Sequence, residues 1–197
     1  MKLIDLQSPE QPKKYTEGIE WDRVTQDYIR QYRGILSKED CKLIIDHHAD
    51  DDDWSDTSWN KVRFGDTKVC DITSITDSKI DKILFGVFGR MLKLYAEDFW
   101  RAASYTNDVG YTLMRYRKGD CYPMHHEPSG SGIIATISLS SSEGGDTQFF
   151  GKEKIDSSIG MGFMHPASFM FPYEVLPVTE GVRYYVSTAF KCPNSNN

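Results

Sequence analysis

"SGIIATISLSSSEGGDTQFF", Ser131 to Phe150, holds two short apolar runs around a polar, glycine-centred insert. Runs of this length, rich in β-branched and aromatic residues, read as strands. The insert "SSEGGDTQ" reads as a hairpin turn, because Gly144 and Gly145 reach positive φ at little cost. The same texture continues on both sides: "GYTLMRY" (110–116), "ASFMF" (167–171) and "RYYVSTAF" (183–190) are further short runs bounded by Gly, Ser, Pro and Asp. From about residue 105 onward the chain therefore reads as a sandwich or barrel of short antiparallel strands.

Before residue 105 the pattern is helical. In "GILSKEDCKLII", Ser37 is placed to cap the N–H of Asp40, with Asp40 reaching back and Leu36 and Cys41 at the staple positions. "SKIDKILFGVFGRMLKLYAEDF" carries Ile80, Ile83, Leu84, Val87, Phe88, Met91, Leu92 and Tyr95 at three- and four-residue steps, with Ser78 as N-cap. Gly86 and Gly89 in this helix suit close packing on a sheet. Residues 1 to about 33 are polar and irregular, with Pro9 and Pro12 against an early helix. The fold class expected is mainly β with supporting helices. It forms a single domain over 1–197, with a helical supporting region (1–105), a β core (106–191) and a tail (192–197).

The 197 residues carry a net charge of -6, with 26% charged and 39% apolar residues, and 13% aromatics. Nothing here favours disorder, and the acidic balance gives no general attraction to nucleic acid. Cys41, Cys70, Cys121 and Cys192 form no C-x-x-C pair, which suits reduced thiols. No apolar run has the length of a signal peptide or a membrane span, so the location expected is cytoplasmic. The acidic run in "HHADDDDWSD" lacks the glycine and glutamate of a calcium loop and reads as solvated.

The chemistry concentrates in "YRKGDCYPMHHEP", Tyr116 to Pro128. On a strand, side chains alternate, so His125 and Glu127 share a face and His126 points away. His-x-Glu is a nitrogen–oxygen clamp suited to iron(II), manganese(II) or zinc(II). Tyr116, Gly119, Tyr122, His125 and Glu127 stand at regular intervals. They are followed by "ATISLSSSEGGDTQFF" and "ASFMFPYEVLPVTEGVRYYVSTAF".

In order and spacing this series resembles the iron(II)- and 2-oxoglutarate-dependent oxygenases of the prolyl 4-hydroxylase-like family, closest to its small bacterial and phage forms. The resemblance covers roughly residues 105 to 191, with the glycine-centred insert and "EVLPVTEGVRY" the most specific pieces. It implies a double-stranded β-helix core of the jelly-roll or cupin-like kind. It implies iron(II) as cofactor and 2-oxoglutarate and O2 as cosubstrates, with a C–H bond hydroxylated, by analogy a prolyl residue in a peptide or protein. The family's first two metal ligands fall on His125 and Glu127. The basic residue that pairs with the distal carboxylate of 2-oxoglutarate falls on Arg183, whose planar fork matches a carboxylate. Tyr116, Tyr122 and Ser138 fall on further cosubstrate contacts.

The sequence departs from that pattern at two ligand positions. The carboxylate is Glu127 where the family has Asp, one methylene longer. The third ligand, a histidine in the family, falls on Tyr173, ten residues before Arg183. A neutral phenol is a poor ligand for iron(II). His165 and His126 are the stand-ins the chain offers. Three readings follow: an oxygenase with a modified metal site, a binding module on the same scaffold that has lost iron chemistry, and a cupin-like sandwich using His125 and Glu127 for another metal. Trp54 to Lys68 and Arg101 to Gly110 are the loops expected to set substrate choice.

Overall fold

The computed structural model describes residues 27–49, 53–56 and 69–193. Its strands, in chain order, are β1 (Arg30–Tyr32), β2 (Ser55–Asp56), β3 (Asp71–Ser74), β4 (Asn107–Asp108), β5 (Thr112–Tyr116), β6 (Tyr122–His125) and β7 (Ile133–Ser138). There follow β8 (Glu143–Gly144), β9 (Thr147–Phe149), β10 (Glu153–Lys154), β11 (Gly162–Pro166), β12 (Tyr173–Val175), β13 (Val178–Glu180) and β14 (Arg183–Lys191). Helices α1 (Lys38–His48) and α2 (Ser78–Asp98) precede most of them.

Two antiparallel sheets face each other, as expected of a double-stranded β-helix. The larger runs β1-β11-β7-β14-β5-β3-β2, with β4 beside β14; the smaller runs β10-β9-β12-β6. Three strands that precede residue 105 extend the larger sheet, so the N-terminal region supplies strands as well as helices. Strand β7 is buried on both faces, as a central strand must be. Its Ile133, Ala135 and Ile137 join the core beneath α2, while Ile134 and Thr136 face the space between the sheets. Strand β14 repeats the division: Val186 and Phe190 go to the helix-backed core, Tyr185, Ser187 and Ala189 to the interior.

The helices form as their sequences dictate. In α1 the Ser37 hydroxyl accepts from the Asp40 amide at 3.0 Å, and Leu36 and Cys41 are both buried in the same core. The N-cap of α2 is Asp77, not Ser78: its Oδ1 accepts from the amides of Lys79 and Ile80, both at 2.9 Å. A carboxylate satisfies two of the first-turn amides at once, which a hydroxyl one residue later does not. Ile80, Leu84, Phe88, Met91 and Tyr95 are the buried stripe. Gly86 and Gly89 lie on its exposed face and make no close approach. That role belongs to Gly162 on β11, where a Cβ would stand 2.8 Å from Met91 Cε.

Two strand-level expectations fail. "ASFMF" is a turn: the Phe171 amide bonds the Ser168 carbonyl at 3.0 Å, leaving Phe169 and Met170 exposed. The strand is the preceding "GFMHP". Gly144 and Gly145 do not close a hairpin between β7 and β9. Those strands lie in different sheets, and the insert carries the chain across, with β8 pairing β13. Both glycines hold positive φ, and a Cβ on Gly144 would meet the Pro177 carbonyl oxygen at 2.2 Å. Glycine is required there for a close backbone approach. Most of the acidic run and residues 57–68 of the first candidate loop fall outside the described residues. None of the four cysteines forms a disulfide, and no helix among the described residues is long and apolar enough to cross a membrane.

Candidate functional site

His125 ends β6, and Glu127 follows just beyond the strand. His125 is buried and His126 exposed, so the expected alternation holds at the histidines. The His125 ring is stacked on Tyr122, with centroids 3.7 Å apart, and Tyr173 packs against it at 4.3 Å. Its Nδ1 lies 2.8 Å from the Pro123 carbonyl oxygen, which can only accept. Nδ1 therefore carries a proton and donates to that carbonyl, which leaves Nε2 as the ring's other polar atom. That Nε2 is buried without a hydrogen-bond partner and faces Glu127 Oε1 at 3.7 Å.

Tyr173 begins β12, in register with His125 on one side and Phe149 on the other. Its hydroxyl donates to Glu127 Oε1 at 2.8 Å. Burial, with the Glu127 carboxylate beside it, pushes the phenol far above its ordinary value, so it stays neutral. Burial alone would raise the Glu127 carboxyl, but His125 and the Tyr173 hydroxyl, with His165 further off, together hold it below the usual range. The result is an ionised, partly buried carboxylate with one oxygen already taken by a phenol.

His165 lies on β11 and is fully buried, not in a loop. Its ring packs between Phe149 at 4.9 Å and Tyr173 at 5.2 Å. Nδ1 is 3.0 Å from the Pro166 carbonyl oxygen, and Nε2 again has no hydrogen-bond partner. Burial lowers its pKa to about 4, against the pull of the Pro166 carbonyl and Glu127. The sequence carried a signal for this placement: a histidine inside an apolar run, next to a proline fit for a strand end.

Arg183 is brought elsewhere. It opens β14, and its guanidinium is buried and bonded throughout to the chain. Nε donates to Ser142 Oγ at 3.0 Å. Nη1 donates to the carbonyls of Ser140 and Ser157 at 2.6 and 2.7 Å and to Ser138 Oγ at 3.2 Å. Nη2 donates to the Gly144 carbonyl at 3.3 Å, with Asp146 Oδ1 at 3.6 Å. Ser138 is held in this network, donating to Ser157 O at 2.8 Å. The structure thus joins His125, Glu127, Tyr173 and Tyr122, and separately joins Arg183 and Ser138.

A cavity of about 260 Å³ lies between the sheets. Tyr116, Tyr122, Glu127, Tyr173 and Tyr185 line it with Thr136, Thr147 and Ser187, over apolar Ile134, Phe163 and Val175. Arg183 lies behind Tyr185, its Cζ 5.7 Å from that ring, and does not line the cavity. Among the described residues, the wall includes the Glu127 carboxylate and no Lys, Arg or His. Of the two candidate loops, Val109 and Gly110 reach the cavity, while Trp54 lies under the Arg115 guanidinium at 3.9 Å.

The donors present test the iron centre implied by the sequence. His125 and Glu127 suit it, but Tyr173 does not: its hydroxyl keeps its proton and spends it on the carboxylate. Among the described residues, no three His, Cys, Asp or Glu side chains stand together as a metal-holding group. The set His125, Glu127, Tyr173 therefore does not fit a two-histidine, one-carboxylate iron site.

No protein-family profile matches the chain, and no curated protein matches it in sequence. Solved structures do match. A prolyl hydroxylase from Trichoplax adhaerens, in complex with a hypoxia-inducible-factor oxygen degradation domain peptide, superposes with a TM-score of 0.71 at 13% identity, covering 95% of this chain and 96% of that one. A Pseudomonas putida prolyl-4-hydroxylase gives 0.67 at 13% identity over 86% and 97%. The viral collagen prolyl hydroxylase of Paramecium bursaria Chlorella virus-1, in its 2OG complex, gives 0.63 at 16% over 84% and 96%. The resemblance read from the sequence holds at the level of the fold: this chain has the fold of the prolyl 4-hydroxylases.

Proposed function

We propose that this chain uses the hydroxylase fold to bind a small molecule between its sheets without turning over 2-oxoglutarate. The observation that carries this reading is the Tyr173 hydroxyl, which donates to Glu127 at 2.8 Å from the position that the sequence resemblance implies for the third ligand. The sealed Arg183 supports it. Its guanidinium is buried, with Nε and Nη1 fully used by chain oxygens and only one Nη2 hydrogen, facing Asp146 Oδ1 at 3.6 Å, outside a hydrogen bond. So does the charge of the cavity. An ionised carboxylate and, among the described residues, no cation in the wall disfavour a dianionic keto acid and suit a neutral or cationic guest whose polar groups meet tyrosine and threonine hydroxyls.

The oxygenase reading keeps one point in its favour: the fold is shared with enzymes that include a 2OG complex and a peptide complex. In that reading His125 and Glu127 hold iron(II), Tyr116 and Tyr122 contact the cosubstrate, and the substrate is a peptide or protein. Bound iron would supply oxygen activation for C–H hydroxylation, and the chain would exclude water and orient the substrate. One experiment separates the two. Iron(II) and 2-oxoglutarate are added anaerobically and the visible metal-to-ligand charge-transfer band is sought, followed by succinate formation in air. We expect neither. A band with stoichiometric succinate overturns the binding reading.

A further inference from the structure

We propose that the guest of the cavity is a small primary ammonium ion, its charged head on Glu127 and its apolar body on the cavity floor. This rests on the binding reading above and names its ligand class. The hydroxyls of the wall have largely given up their protons to the chain. The Tyr173 hydroxyl donates to Glu127, and the Tyr185 hydroxyl lies 2.8 Å from the Gly145 carbonyl oxygen, which can only accept. Thr188 donates to the Gly110 carbonyl at 2.8 Å and Ser187 to the Ala135 carbonyl at 3.0 Å. Thr136 stands 3.0 Å from that Ser187 hydroxyl, whose single proton is already placed, so Thr136 is the donor of the pair. All five residues line the cavity, and each hydroxyl has only lone pairs left.

Glu127 adds the charge. Its contacts with Tyr173 at 2.8 Å and His125 at 3.7 Å both fall on Oε1, and among the described residues no group of the chain bonds Oε2. A spare carboxylate oxygen in a wall of acceptors calls for a cationic donor, since hydrogen bonds between ionised groups are the strong ones. An ammonium head brings three N–H donors, enough for Oε2 and for hydroxyl oxygens beside it. Tyr116 and Tyr122 line the same space, and the negative face of an aromatic ring attracts a cation within about 6 Å. The rest of the guest follows from the same wall. Its body meets Ile134, Phe163 and Val175, and so is apolar. It is small, because the volume of about 260 Å³ falls below the roughly 300–1,000 Å³ of sites for drug-sized ligands. It carries no carboxylate of its own, since among the described residues the wall has no cation to pair one; free amino acids are thereby set aside.

The test titrates the full chain by calorimetry with isobutylamine, isopentylamine and benzylamine, each beside the alcohol and the carboxylate of the same shape. At least one amine should bind at a single site about tenfold or more tighter than its alcohol, the difference between a charged and a neutral hydrogen bond, and its carboxylate should not bind. Carbon NMR of the side-chain carboxyls should show Glu127 moving as that amine is added. Glu127→Gln should erase the amine's advantage over the alcohol. If that variant fails to fold, the ranking of the three charge types and the Glu127 signal in the unaltered chain still decide. Alcohols binding as tightly as amines, a carboxylate binding best, amine binding that leaves Glu127 unmoved, or no binding by any of the amines each overturns the proposal. The first of these would leave the cavity a small-molecule site and remove only the charge of its guest. Succinate formed with iron(II) and 2-oxoglutarate would instead remove the reading on which the proposal rests.

Discussion

At the scale of the residue, one hydroxyl decides the character of the site. Tyr173→Phe removes a hydrogen bond to a charged acceptor, which contributes about 1–3 kcal/mol when partly buried. Denaturant unfolding should show a loss in that range, and the Glu127 carboxyl should titrate higher by NMR once its donor is gone. The sequence located this substitution but not its meaning. Spacing alone placed Tyr173 among the ligand positions, while the direction of its O–H depends on Glu127, 46 residues earlier in the chain. His165 was harder still, because its burial follows from which of two adjacent runs becomes the strand.

Among the elements, the crossover between sheets is the most constrained. Gly144→Ala would need positive φ and would drive its Cβ into the Pro177 carbonyl. We expect a cost of at least about 1–3 kcal/mol, read as a lowered denaturant midpoint with an unchanged slope. In α1, burial pushes the Cys41 thiol up to about 11 from an ordinary 9.0. The unfolded chain loses that proton first, so this group's share of stability is intact below about pH 9 and fades as pH rises towards 11. Comparing unfolding midpoints of the unaltered chain and Cys41→Ala at pH 8 and pH 10 should show the loss only where the thiol is present. The strands "GYTLMRY", "TQFF" and "RYYVSTAF" were legible because alternation and β-branched residues agree with their burial. "ASFMF" was misread because its apolar content mimics a strand. Ser168, whose hydroxyl accepts from the Met170 amide at 3.3 Å, turns it instead.

Over the whole molecule, the helix-backed core and the larger sheet form one contiguous cluster, so a deletion in it should be felt by the entire fold. Leu84→Ala, at a fully buried position facing the sheet, should cost about 2–5 kcal/mol and lower a single cooperative transition seen alike by circular dichroism and tyrosine fluorescence. That architecture was visible in outline from a helical first half and a strand-rich second half. The strands contributed by residues 30–32, 55–56 and 71–74 were not, since such short pieces carry little periodicity. The Arg183 knot has a consequence in time. Its partners lie 26 to 45 residues away along the chain, so these bonds close only after β7, β14 and the crossover are in place. Interactions that arrive after the rate-limiting barrier slow escape from the native state without hastening arrival. A chevron for Arg183→Lys should therefore show a steeply faster unfolding limb and a nearly unmoved refolding limb: the buried guanidinium sets how long a folded molecule lasts.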